Sequence, residues 1–450
     1  MPVAFCAACK TQDVVVGGFD EIAQLRAIPN RDLDLLFVID DSPSMGDNQA
    51  ALAVSFPRMV DKLAQLDGGL PNLHIGVITS DMGTQSSAVA TPGPSLTIGL
   101  PGECAGVGDD GALQHAGDPA LADAFLSDVA DATAPDGRAR NYAGDLRDAV
   151  SGLVQVGASG CGFEQHLAAV RRSFVNPANA GFLRPGANLA IVILADEDDC
   201  SVLDPALLDP TMTALGPLDS FRCFAQGTVC DGDDPRALGD KHGCRPRTGP
   251  ALVEPIDRFI ASVLAVKPDP REVMVAAIVG DPTPVRVEFA NPSPVLPPPA
   301  ALAPSCVFDG PAGRETAYPG VRFAAFLDGF PGRSQLASIC GNDLSGPLDA
   351  IGATAKQMMG DPCLDTTVLA DTSPESGVQP ACQVVDVRDS DTDHPAALPP
   401  CAGDAATDCY ALEPDTAACP ATGDHLRVRV RRSAAVPADT WTHVLCQRAG

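Results

Sequence analysis

The chain has 450 residues, 45% of them hydrophobic, with 58 Asp and Glu against 30 Lys and Arg and a formal net charge of −28. That balance excludes a nucleic-acid surface, because phosphates need a basic face. The length exceeds one ordinary core, so two units or one unit with large insertions are expected. The longest clean apolar run, Leu189 to Ala195, is too short to span a bilayer.

The opening MPVAFCAACK has neither the basic region nor the apolar stretch of a secretory signal. Its CAAC resembles the end of a bacterial lipoprotein box. That resemblance implies lipidation at Cys9 and makes residues 1–30 the remnant of a signal and linker.

From about residue 33 onward, apolar runs alternate with helical periods. LDLLFVID (33–40) is apolar nearly throughout, as a strand buried on both faces should be. Asp47 and Asn48 are placed to cap a helix whose Leu52, Phe56, Met59, Val60 and Leu63 share one face, with a bend at Pro57. LHIGVITSD (73–81) reads as a second strand. Helical stripes follow at Leu146, Ala149, Val150, Leu153 and Val154, and at Phe163, Leu167 and Val170. NLAIVILADEDD (188–199) is a strand ending in acids, VEPIDRFIASVL (253–264) a helix, and EVMVAAIVG (272–280) a fourth parallel strand. SQLASIC (334–340) and the helix GPLDAIGATAKQM (346–358) close the pattern.

This alternation predicts the α/β class: a doubly wound, mostly parallel, Rossmann-like sheet over residues 31–362. Insertions rich in Pro, Gly and Cys interrupt it at about 82–140, 200–250 and 281–320. After Cys363 the alternating runs ACQVVDVRD and HLRVRVRRSAA predict a small Cys-rich β module over 363–450.

Of the sixteen cysteines, fourteen lie from Cys104 onward in loop-like sequence, so seven disulfides in an oxidising compartment are expected. They would staple insertions that have no core of their own. Local pairing joins Cys104 with Cys161, Cys200 with Cys223, Cys230 with Cys244, Cys306 with Cys340, and Cys409 with Cys419. Spacing alone leaves other connectivities open.

The run VIDDSPSM poses the functional question. Asp40, Ser42 and Ser44 form D-x-S-x-S at the carboxyl end of the first strand, the edge where open parallel sheets bind ligands. One carboxylate and two hydroxyls in a tight loop suit a hard divalent cation such as Mg²⁺. The run resembles the first loop of a von Willebrand factor type A domain with a metal-ion-dependent adhesion site. Over roughly 33–360 the chain is similar to large, cysteine-rich bacterial envelope proteins that carry this domain.

The resemblance implies that Asp40, Ser42 and Ser44 are ligands and that Asp196 binds through water. The ion would be Mg²⁺ first, with Ca²⁺ or Mn²⁺ as alternatives. A protein partner would offer a carboxylate to it. The location implied is the bacterial envelope, as an outer-membrane lipoprotein, in the periplasm or on the cell surface. One position departs from the family. Phe163 and Leu167 match the two apolar positions that follow the second-loop Thr, which puts Cys161 in its place. A bonded Cys is no ligand for Mg²⁺. Glu164, one residue into the same helix, is in reach to substitute, and its charge would favour Ca²⁺ or Mn²⁺. The plainer reading makes Glu164 a first-turn acid complementing the helix dipole. The acids after Asp196 in DEDDCS, Glu197, Asp198 and Asp199, are placed to support the ion's ligands or to form a second cation site, but read most simply as a solvated turn.

No G-x-S-x-G elbow, H-E-x-x-H, Walker or post-strand G-x-G-x-x-G motif occurs. The expectation is a non-enzymatic adhesion or ligand-binding protein. Its alternatives are a structural envelope protein with a degenerate, metal-free site, or a metal-dependent hydrolase.

Overall fold

The computed structural model describes residues 18–66, 68–88, 91–97, 103–114, 123–232, 234–249, 251–290, 298–360, 363–364, 366–374, 377–403, 405–416, 419 and 426–449. They fall into two compact units, one drawn from 1–30, 65–68 and 356–450, the other from 31–64 and 69–355. Cys6 and Cys9 lie outside the described residues. The first described strand, β1 (Asp20–Arg26), falls in the smaller unit.

The larger unit is built on one seven-stranded sheet. Its strands are β2 (Asp32–Ile39), β3 (Asn72–Thr79), β4 (Leu126–Ala130), β5 (Arg138–Arg140), β6 (Asn188–Leu194), β7 (Val273–Val279) and β8 (Ser334–Ser338). They lie in the order β8-β7-β6-β2-β3-β4-β5. The helices are α1 (Gly46–Ser55), α2 (Pro57–Leu63), α3 (Leu146–Leu153), α4 (His166–Ser173), α5 (Phe221–Gly227), α6 (Ile256–Leu264), α7 (Val321–Leu327) and α8 (Ser345–Met358).

Register explains why the apolar runs are continuous. Leu36 stands opposite Ile191 and Ile191 opposite Val275; one step on, Val38, Ile193 and Ala277 align the same way. These rows pack with Leu167 and Val170 of α4, Phe259 and Val263 of α6, and Phe323 and Phe326 of α7. The intervening residues face the other way, where Phe37 meets Phe56 edge-on at 5.6 Å. Each large side chain so buried contributes roughly 1.5–3 kcal/mol by leaving water.

The sheet corrects the fold class read from the sequence. β8, β7, β6, β2 and β3 run parallel, but β4 pairs antiparallel with both β3 and β5, which makes the sheet mixed. The six other sheets among the described residues are small and antiparallel throughout. A doubly wound, mostly parallel, Rossmann-like fold therefore does not describe this chain. The insertions are responsible. They lack the apolar period of a crossover helix, so their backbone groups pair locally as hairpins.

Helix entry differs as well. Met45 precedes α1 and no side chain caps it. Asp47 instead accepts from the Ala312 amide at 2.7 Å, and Asn48 turns towards the Met45 sulfur. Pro57 stands at the start of α2, splitting the predicted helix in two.

Among the described residues seven disulfides form, four in the larger unit: Cys104–Cys161, Cys200–Cys223, Cys230–Cys244 and Cys306–Cys340. The smaller unit holds Cys363–Cys419, Cys382–Cys446 and Cys401–Cys409, which corrects the pairing of Cys409 with Cys419. Strand pairing overrides nearness in sequence here. The Cys401 amide donates to Tyr410 O at 2.8 Å, setting Cys401 beside Cys409, and Leu364 N donates to Leu426 O at 3.0 Å. This many bonds mark a chain that folds in an oxidising, exported setting. Alkylation of the native protein without reductant is expected to label almost none of the fourteen cysteines from Cys104 to Cys446, as read by intact mass; labelling of most would overturn the compartment.

The smaller unit holds a four-stranded antiparallel sheet of β1, β9 (Cys382–Arg388), β10 (Asp391–Leu398) and β11 (Thr440–Cys446), in the order β1-β11-β9-β10. Ala23 and Leu25 of β1 are buried with Val384 and Val444. Residues 20–26 are thus structural, and the module does not start at 363. β11 has two edges, and residues 363–450 supply a partner for one of them; β1 takes the other.

Candidate metal centre

β2 and β6 are neighbours, so their carboxyl ends deliver two loops to one edge of the sheet. The Asp40 amide donates to Leu194 O at 3.0 Å, and the Asp196 carbonyl accepts from Tyr318 N at 2.7 Å. In the β2–α1 loop, Ser42 N donates to Asp40 Oδ1 at 2.8 Å, and the Ser42 and Ser44 hydroxyls lie 3.1 Å apart. The Ser44 hydroxyl is also near Asp196, whose carboxyl it helps to lower. Asp40, Ser42 and Ser44 join one hydrogen-bonded set, and Asp196 stands beside it at the same edge. Gln49 of α1 clamps the loop from below, its amide donating to Asp40 O at 2.9 Å and to Gly157 O at 2.7 Å.

The set is buried and acidic. Asp40 is fully buried and Asp196 is 3% exposed. Asp40 Oδ2 and Asp196 Oδ1 find no hydrogen-bond partner among the described residues. Burial first, then Asp40 and Glu197, push the Asp196 carboxyl well above the usual range. Glu164 is raised in the same way by burial, Glu197 and Asp40. Glu197 is pushed up to about 7 by burial and Asp40, eased by hydrogen bonds with Glu164 and Ser220 and by His166. More carboxylate oxygens face this edge than hydrogen bonds satisfy.

The second loop corrects two readings. Cys161 is fully buried and bonded to Cys104, so no ligand stands there. α4 begins at His166, so Glu164 precedes the helix rather than lying in its first turn. The Cys200 amide pins the Glu164 carbonyl at 2.7 Å, and the Glu164 side chain lies near Glu197. Both acids border a cavity of about 200 Å³ walled by Phe221, Phe224, Leu302 and Tyr318.

The run DEDDCS is no solvated turn. Asp198 accepts from the Arg322 and Phe323 amides at the start of α7, at 2.9 and 3.3 Å. Asp199 accepts from Leu167 N at 2.9 Å and pairs with Arg322 at 2.9 Å. These acids fasten α4 and α7 to the loop that carries Asp196.

Two residues of the region, His166 and Asp41, escaped the sequence reading. His166 is fully buried, with both ring nitrogens unpartnered among the described residues and Nε2 3.6 Å from Asp40 Oδ2. Glu197 was legible only as one acid in a run. Asp41 turns away from Asp40, accepting from the Ser80 hydroxyl at 3.3 Å. A Cβ on Gly160 would sit 2.3 Å from the Asp41 carboxylate, so a larger residue there would push the Asp41 side chain aside. Burial, then Asp81, Asp40 and Asp109, push Asp41 up to about 8.

A pH dependence follows from these groups. Each carboxyl has a folded pKa above its unfolded value, so the folded state holds more protons. The stability they contribute is fully present below about pH 4 and is lost as pH rises through about 7 for Glu197 and Asp198 and about 8 for Asp41. Denaturant unfolding in EDTA is expected to show stability falling between about pH 5 and 8. A flat or rising profile across that window would contradict the burial of these acids.

Among the described residues, no group of three or more His, Cys, Asp or Glu side chains is arranged to hold a metal ion by itself. The set at this edge joins carboxylates to serine hydroxyls. Among the described residues, no helix is long and apolar enough to cross a membrane. No family model and no curated protein matches the chain. Among solved structures the chain is similar to the pilus adhesin (RrgA) from Streptococcus pneumoniae, at 10% identity and a TM-score of 0.26, covering 96% of this chain and 57% of that one. The chain thus spans little more than half of that structure, and a likeness at this level carries no argument.

Proposed function

We propose that this chain is a non-enzymatic, exported envelope protein that holds a divalent cation at the carboxyl edge of its sheet and binds an acidic group of a protein partner through it. The reading rests on one observation: two buried carboxylate oxygens, Asp40 Oδ2 and Asp196 Oδ1, lie at the same edge without a donor. A buried acid left so costs several kcal/mol unless it is protonated or meets a cation. Asp40, Ser42 and Ser44 would contact the ion and Asp196 would reach it through water, as in a site of the von Willebrand factor type A kind. Glu164 would answer for the position that Cys161 has lost. Bound there, the cation supplies an open coordination position that accepts a partner's carboxylate. Ser44, exposed in the loop, marks the side from which a partner would arrive.

The test is binding of the immobilised protein to peptides bearing Asp or Glu, beside the same peptides with Asn or Gln, in millimolar Mg²⁺ or Mn²⁺ and in EDTA. Binding is expected only for the acidic peptides and only with the cation. Equal binding in EDTA, or to the amide peptides, would sink the proposal.

A further inference from the structure

His166 stands against the site from the start of α4 and has no counterpart in an all-oxygen ligand set. It is fully buried, and its only ring contact among the described aromatic pairs is an edge-on one with Phe323, centroids 5.2 Å apart. Neither ring nitrogen has a hydrogen-bond partner among the described residues. Its Nε2 faces Asp40 Oδ2, itself unpartnered, at 3.6 Å. That separation is too long for an N–H···O hydrogen bond, which closes to about 3.2 Å or less. It is close to the span of two ligands on one ion: bonds of about 2.1 Å meeting at a tetrahedral angle put the donor atoms about 3.4 Å apart. A buried imidazole and a buried carboxylate that face each other without a hydrogen bond are placed to share something between them.

We infer that His166 is a nitrogen ligand of the cation at Asp40, and that the site consequently selects a borderline transition ion, Mn²⁺ or Zn²⁺, over Mg²⁺ and Ca²⁺. The inference rests on the proposed cation site and narrows its occupant. Imidazole suits ions of intermediate softness, whereas Mg²⁺ and Ca²⁺ take oxygen. The ligand set is then Asp40, His166 and the serine hydroxyls of the site loop. Packing against Phe323 orients the ring, the task that an outer hydrogen bond performs in many histidine sites. The fastening of α4 to Asp199, through Leu167 N at 2.9 Å, holds its first turn at the sheet edge.

The experiment uses the full chain stripped with EDTA. Pulsed EPR of the Mn²⁺-loaded wild type is expected to show ¹⁴N coupling from a directly bound imidazole. Competitive titration should give Mn²⁺ and Zn²⁺ at least tenfold tighter binding than Mg²⁺, and His166→Leu should remove that preference. Mn²⁺ that binds in the wild type and is lost in Asp40→Asn, yet shows no ¹⁴N coupling, overturns the inference and leaves the cation site standing. An unchanged metal preference in His166→Leu does the same. Absence of any cation response in the wild type overturns both together.

Discussion

Asp40→Asn is expected to erase the response of the fold to divalent cation without weakening the cation-free protein. The wild type should gain about 2.7 kcal/mol at a hundredfold excess of ion over its Kd. For a unit of roughly 300 residues that is a rise in Tm of about 4 °C. In the variant the amide oxygen still accepts from Ser42 N, so the loop keeps its shape. The charge that raises Asp196, Glu164 and Glu197 is gone, however. The cation-free variant should therefore melt no lower than the cation-free wild type, and should not move when the ion is added. Asp196→Asn is expected to weaken the response less, because its contact passes through water. Thermal melts of the three proteins in EDTA and in millimolar Mg²⁺, Mn²⁺ or Ca²⁺ decide the matter. A wild-type melt that no ion moves would leave the D-x-S-x-S loop a shape without a cation.

Arg322→Met should be the most damaging single substitution in the region, at about 3–5 kcal/mol. Arg322 is 1% exposed and its guanidinium donates to Asp199 and to the Glu254 carbonyl, both at 2.9 Å. Methionine fills much of the volume but leaves the Asp199 charge buried without its partner, and that stranded charge carries most of the cost. Asp199 would keep only the Leu167 amide and the Ser201 amide and hydroxyl. The double variant Asp199→Asn, Arg322→Met should recover part of the loss, since it strands no charge, and the difference gives the coupling in a double-mutant cycle. Urea unfolding provides the numbers. A cost under about 1 kcal/mol for the single change would show that water reaches this pair. Because the same pair ties α4 and α7 to the loop of Asp196, the single variant should also bind cation more weakly.

Much of the larger unit was legible because buried strands announce themselves. Runs such as LDLLFVID and NLAIVILA have only one stable use, and their acidic ends mark the edge where a charged group can sit. Asp40, Ser42 and Ser44 could be singled out from residue type and place, Asp196 through the resemblance to a von Willebrand factor type A domain, and the seven-disulfide count follows from cysteine number. What pairs with what could not be read, since pairing joins residues far apart in the chain. The antiparallel wing of β4 and β5, the union of β1 with β11, and the choice of Cys363 rather than Cys409 as partner of Cys419 all depend on which open edge lies nearest in space. The surroundings of the site were hidden for the same reason. His166 is one of seven scattered histidines until α4 brings it to within 3.6 Å of Asp40. Asp198 and Asp199 look like solvated acids until the amides and guanidinium of a helix more than 120 residues away close on them. Residue chemistry, read along the chain, determines which groups need a partner; only the packed sheet and helices decide which partner each one finds.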